Sequence, residues 1–214
     1  ALVNEADAGG ATSLCMAALA GRFVIAEMLL INGALVNQAD NSGATPLSMA
    51  AQEGYAKIVE LLLNAGAAVD QRRKDHVTPL KIAAHNEHDK IVQLLIARGA
   101  NPNLPNKVGS TAMLSAAAAG NMTVVRLLLD CDLNINHSNN AGLTALILAA
   151  VNGHPRLVQL FISLGAEPEA KDVEHNMTAL NWATNNQHAL CVAALQPRSI
   201  ACLRAWTAQD AWAF

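Results

Sequence analysis

The 214 residues are 52% apolar but only 3% aromatic, with a formal charge of −3. Ala and Leu carry most of the apolar share, which suits closely packed helices better than a sandwich or barrel rich in Val, Ile, Tyr and Phe. The near-neutral balance gives no support to a nucleic-acid or membrane-surface partner, and no run of about 18 apolar residues is present to cross a bilayer.

The chain opens on Ala1-Leu2-Val3-Asn4-Glu5-Ala6-Asp7, which matches Ala34-Leu35-Val36-Asn37-Gln38-Ala39-Asp40. It is therefore expected to start on the tail of a preceding unit, with further units upstream or one face of the first unit uncovered. The opening has neither an initiator Met nor the basic-then-apolar pattern of a secretory leader, and a piece of a longer chain is one reading of it. Thr12 then begins an element whose frame returns at Thr45, Thr78, Thr111 and Thr144, each 33 residues on, and at Thr178 after 34. Such self-similarity points to a repeat array.

Each part of the frame has a physical role. A Thr before a helix caps its first free N–H groups, and a Pro one place later, as at Pro46 and Pro79, loses nothing by lacking one. The Ala pairs that follow (Ala17-Ala18, Ala50-Ala51, Ala83-Ala84) let two helices approach closely. Gly21, Gly54, Gly120 and Gly153 are expected to end each first helix in the left-handed conformation. The second helix, read in Ile58, Val59, Leu61, Leu62 and Leu63, is too apolar for a solvated back and must be covered by the next unit. Gly33, Gly66, Gly99 and Gly165 end it, and stretches such as 37–43 carry the Asn, Asp and Gly of a protruding turn.

Thr45-Pro46-Leu47-Ser48-Met49-Ala50 and Thr78-Pro79-Leu80-Lys81-Ile82-Ala83 resemble the T-P-L-H-x-A signature of the ankyrin repeat family, met more loosely at Thr12, Thr111, Thr144 and Thr178. The resemblance covers residues 1–196 and implies an all-α solenoid of stacked helix–turn–helix units with β-hairpin-like loops. The units fall at about 7–37, 40–70, 73–103, 106–136, 139–169 and 172–196. Segment 197–214 is read as a capping helix or a tail. In it, Pro197 stops the preceding helix, Ser199 caps, and Ile200, Leu203 and Trp206 make an apolar stripe. The family His is replaced throughout, by Cys15, Ser48, Lys81, Leu114, Ile147 and Asn181. Asp132 replaces a helix-ending Gly. His76 and Asn176 replace a hairpin Gly, where only Asn tolerates positive φ reasonably well. The extra residue before Thr178 is expected to bulge its hairpin.

Little in the chain points to chemistry. Cys15, Cys131, Cys191 and Cys202 show no metal spacing. Cys15 and Cys131 lie three units apart, roughly 30 Å at about 10 Å per helix layer, beyond the 7 Å or so that a disulfide spans. Reduced thiols are expected, and with them a cytoplasmic or nuclear setting. His85 and His88 are spaced like a metal pair but lack a third ligand, and His188 is read as a loop-bonding residue. The glycines recur at helix ends rather than in a phosphate loop, and no motif marks an activated nucleophile. No metal, cofactor or catalytic residue is assigned.

Arrays of this kind leave hairpin tips and first-helix ends free. The expected function is non-catalytic recognition of a protein or peptide along the concave surface, as a scaffold or adaptor and as a monomer. By family resemblance the tips supply Asn41, Ser42, Arg73, Lys74, Asp75, Lys107, Val108, Asn140 and Ala141, and the helix ends Gln52, Glu53, His85, Asn86, Val151, Asn152, Asn185 and Asn186. The alternative is a targeting or regulatory region of a larger enzyme, channel or secreted effector. Charge is uneven along the chain: unit 71–103 carries six basic against three acidic residues, while 165–176 carries Glu167, Glu169, Asp172 and Glu174 against Lys171. An acidic partner across the Arg72-Arg73-Lys74 tip and a merely solvated tip both fit the first. Ala116 to Ala119 fit either a partner's helix or close internal packing. Asn37, Asn103 and Asn136 are candidate sites of asparagine hydroxylation.

Overall fold

A computed structural model describes residues 2–196 and 199–201. It divides into two compact units, Ala1–Lys107 and Val108–Phe214. In the first lie α1 (Ser13–Leu19), α2 (Phe23–Ile31), α3 (Pro46–Glu53), α4 (Ala56–Asn64), α5 (Pro79–His85) and α6 (Asp89–Ala97). The second holds α7 (Ala112–Ala119), α8 (Met122–Leu129), α9 (Ala145–Val151), α10 (Pro155–Ser163), α11 (Ala179–Asn185) and α12 (Ala189–Ala194).

The helices start where the frame places them. Thr12, Thr45, Thr78, Thr144 and Thr178 each accept a hydrogen bond on the side-chain hydroxyl from the amide three residues on, at 3.2–3.3 Å. Thr111 does not: at φ −96° and ψ 176° its backbone is the most extended of the six, and its hydroxyl makes no cap. Where the family His is missing, Ser48 and Asn181 close a reciprocal capping box by accepting from the Thr45 and Thr178 amides. Gly54 and Gly120 cap α3 and α7 at φ 83° and 78°, while Gly21 and Gly153 stand one place past the cap and are also left-handed. Glu87 and Gln187 take that same frame position at φ 60°. At Asp132 no left-handed turn forms. Instead α8 stops at Leu129, and Asp130 caps it with right-handed dihedrals.

Within the first unit α1, α3 and α5 pack in a row, as do α2, α4 and α6; within the second, α7, α9 and α11 form the row, and α10 lies on α12. The Ala pairs are buried at each step, which allows close approach of the first helices. Ala116 and Ala117 are buried with them, so for these two residues internal packing is the use made of small size. Leu62, Leu95, Leu128 and Phe161 are fully enclosed on the second helices. The loops form no extended strand among the described residues, only isolated antiparallel bridges at Ala6–Thr12, Ser138–Thr144 and Lys171–Thr178. The last encloses one more residue than the other two, which is the expected bulge. His76 and Asn176 both take the hairpin glycine's left-handed φ, at 65° and 54°. The capping reading of 197–214 falls almost wholly outside the described residues, as does Cys202.

Candidate binding surface

The hairpin tips are joined by a ladder of single backbone hydrogen bonds. In the first unit the Asn41 amide donates to the Gly9 carbonyl (2.8 Å), Lys74 to Ser42 (2.9 Å) and Lys107 to Asp75 (3.0 Å). In the second, Asn140 donates to Val108 (3.0 Å) and Val173 to Ala141 (2.9 Å). Eight of the nine tip residues read from the sequence thus commit a backbone group to a neighbouring tip and remain exposed; Asn41 Nδ2 also donates to the Ala8 carbonyl (3.1 Å) and the Ser42 hydroxyl to Asp40 Oδ1 (2.7 Å). The tips are braced from within by an acceptor side chain. Asp7 Oδ1 takes the Gly9 and Ala11 amides, Asp40 Oδ1 those of Ser42 and Ala44, and Asn139 Oδ1 those of Ala141 and Leu143. Burial would raise the Asp40 carboxyl, but these bonds, the Ser42 hydroxyl and the nearby Arg73 hold it below the ordinary value.

The sixth hairpin carries this furthest. Asp172, counted as surface charge from the sequence, is buried. Its oxygens accept from the His175 amide (2.8 Å), the Met177 amide (2.8 Å), His175 Nδ1 (3.1 Å) and Trp182 Nε1 (3.3 Å). Burial alone would push the carboxyl up; the four donors more than offset it and hold it at about 2. The His175 and Trp182 rings meet edge to face at 5.1 Å.

First-helix ends are stitched to the following pair by side chains, two of which, Asn86 and Asn186, the sequence places among the partner-binding helix ends. The Gln52 carbonyl accepts from Asn86 Nδ2 (2.9 Å) and faces His88 Nε2 (3.0 Å), and the Val151 carbonyl accepts from Asn186 Nδ2 (2.8 Å) and faces His188 Nε2 (3.0 Å). Facing a carbonyl, Nε2 carries the proton. This confirms the structural role read for His188 and gives His88 a similar one in place of metal binding. The rings rest on glycine. A Cβ on Gly21 would lie 2.6 Å from Tyr55, on Gly54 2.7 Å from His88, on Gly120 2.5 Å from His154 and on Gly153 2.7 Å from His188. These glycines are therefore held by two demands, a left-handed φ and the room for a neighbour's ring. Asn37 and Asn136 are clamps of the same kind, their Oδ1 atoms accepting the Ala68 and Glu167 amides.

Among the sequence-derived residues, Gln52, Glu53, Arg73, His85 and Asn86 come together around one open groove of about 440 Å³, with Val77, Lys81 and Ile82 completing its lining. Lys81 was visible as a departure from the family His but not as part of a surface. Burial pulls its ammonium below the usual lysine range, against the opposing pull of Asp75. Asn41, Ser42, Lys74, Asp75 and Lys107 stay on the tips outside this groove. In the second unit, Asn152 bonds back to its own helix at Leu148, and Asn185 Nδ2 reaches Met177 Sδ at 3.7 Å.

A family model of ankyrin repeats matches residues 1–75 and 80–172, in three copies. The chain belongs to the ankyrin repeat family. No curated protein matches it. Ankyrin repeats are in general protein–protein interaction modules, and the family is typically non-catalytic. No described helix of this family member is long and apolar enough to cross a membrane.

Proposed function

We propose that this chain is a non-catalytic scaffold or adaptor that holds a protein or peptide across its hairpin tips and first-helix ends. The observation that carries the reading is the division of labour at the tips. Backbone groups there are engaged in holding successive hairpins together, while Asn41, Ser42, Lys74, Asn140 and Ala141 remain exposed on a preformed support. A surface ordered before binding loses little conformational entropy when a partner docks. We read the six described helix pairs as repeats whose tips and first-helix ends contact the partner within each compact unit, in an intracellular setting.

The test is a paired affinity capture on the intact chain. Wild type and a variant carrying Asn41→Glu, Lys74→Glu and Asn140→Glu are immobilised side by side, after circular dichroism has shown equal helix content. The reading expects partners that wild type retains and the tip variant loses. Identical captured sets would reject recognition by the tips, and a turnover activity in the purified chain would reject the non-catalytic part.

A further inference from the structure

Two frame positions change character together in the third helix pair. The tip-bracing acceptor, Asp7 in the first pair and Asp40 in the second, is Arg73 in the third. Arginine has no acceptor to offer, and Asp75 Oδ1 takes over by receiving the Val77 amide at 3.1 Å. The fourth place of the T-P-L-H-x-A frame is Cys15 or Ser48 in the earlier pairs, both buried, and Lys81 in the third. One hairpin thus gives up an internal brace and one helix gives up a small buried side chain. Both receive a cation in exchange.

Local rules broken without a stabilising return mark functional positions, and these two converge. Arg73 and Lys81 line the same groove, whose remaining lining is Val77 and Ile82 with the α3 end at Gln52 and Glu53 and the α5 end at His85 and Asn86. Glu53 is the lining carboxylate, and Gln52 Nε2 donates to it at 3.0 Å. Asp75, outside the lining, also acts on Lys81. Arg73, which also acts on Asp40, brings a planar guanidinium fork suited to a carboxylate, and Lys81 an ammonium partly withdrawn from water, where a paired charge gains more than at a fully exposed site. Volumes of this order accommodate a side chain with its flanking backbone.

We propose that the groove between the α3 and α5 ends binds an acidic side chain of the partner, its Asp or Glu carboxylate against Arg73 and Lys81 and its aliphatic stem on Val77 and Ile82. This rests on the reading of the chain as a peptide- or protein-binding surface and supplies that partner's chemistry.

The test selects a displayed library of random 12-residue peptides on the full chain, then measures the recovered peptides by fluorescence anisotropy. Lys81→Leu and Arg73→Gln are the variants. Leucine is a residue the frame already buries at this place, as Leu114, so the first variant keeps the fold; thermal melts check both. The expected result is an acidic residue at a fixed position in the recovered peptides. Changing it to its amide weakens binding to wild type about ten-fold or more, as for a charged hydrogen-bonded pair, and weakens binding to Lys81→Leu and to Arg73→Gln by a smaller factor in each, since each variant leaves one of the two cations in place. Peptides without a fixed acidic position, or equal losses in wild type and Lys81→Leu, would overturn the carboxylate site and leave peptide recognition standing. Recovery of no peptide would count against both.

Discussion

Ile25 and Ile58 occupy the same place in consecutive helix pairs, yet Ile25 is 51% exposed and Ile58 only 1%. Met16 and Met49 repeat the contrast, at 51% and 7%. The residue types are identical and their helices begin alike, so burial in this fold is conferred by the neighbouring pair rather than by a repeat's own sequence. The first pair departs further than that. Val24 and Ile31, exposed on α2, stand where α4 has Lys57 and Asn64. Leu2, Phe23, Met28 and Leu35 are exposed apolar residues of the first pair as well.

The largest effect should come from the place covered on both sides. Leu62→Ala is expected to cost about 2–5 kcal/mol, the range for a fully enclosed leucine. Leu29→Ala, at the equivalent half-buried position of α2, should cost less than half as much by urea denaturation. Equal costs would break the comparison. The glycines sharpen it. Gly33→Ala meets nothing within 4 Å, so its cost is that of a left-handed alanine, about 1 kcal/mol. Gly54→Ala must also move the His88 ring and should cost about 2–3 kcal/mol. Matching values would mean that the ring yields freely.

Hairpin acids give a third contrast. The Asp172 carboxyl is held at about 2, below its ordinary 3.8, so it contributes stability above about pH 4 that is lost as pH falls through 2. Thermal melts between pH 5 and pH 2 should show a slope that Asp172→Asn removes, worth on the order of 1 kcal/mol once solvent screening is allowed for. Asp40→Asn should remove less. The smallest expected effect is on α2 itself. Val24→Lys with Ile31→Asn, copying α4, should shift stability by no more than about 0.5 kcal/mol while reducing binding of a hydrophobic dye. A large destabilisation would show that these two side chains are packed in solution.

What could be read beforehand was whatever the frame states within one repeat. Threonine caps, alanine pairs and the glycines closing the second helices all came from spacing, because each acts within a few residues. Glu87 and Gln187 share the left-handed frame position of Gly54, which their register along the chain states and their residue types do not. The Asp172 network is not legible in the sequence because its donors reach from His175 to Trp182 across a lengthened hairpin, and a carboxylate in an acidic hairpin reads as solvated. The His88, His154 and His188 contacts join residues some 36 positions apart, so no local pattern reveals them. Lys81 stands out in the sequence only as a broken motif, since it is the fold that brings it to the same groove as Arg73.

The tip ladder has a consequence for how such a surface can diversify. A guest that recognises proteins by joining an open sheet edge needs unclaimed amides and carbonyls in a row, and here those of neighbouring hairpins already answer one another. Discrimination must then reside in the outward groups alone. Most can be replaced singly, so partner preference can drift from one descendant to the next, whereas Asn41, whose Nδ2 donates to the Ala8 carbonyl, also ties its hairpin to the one before.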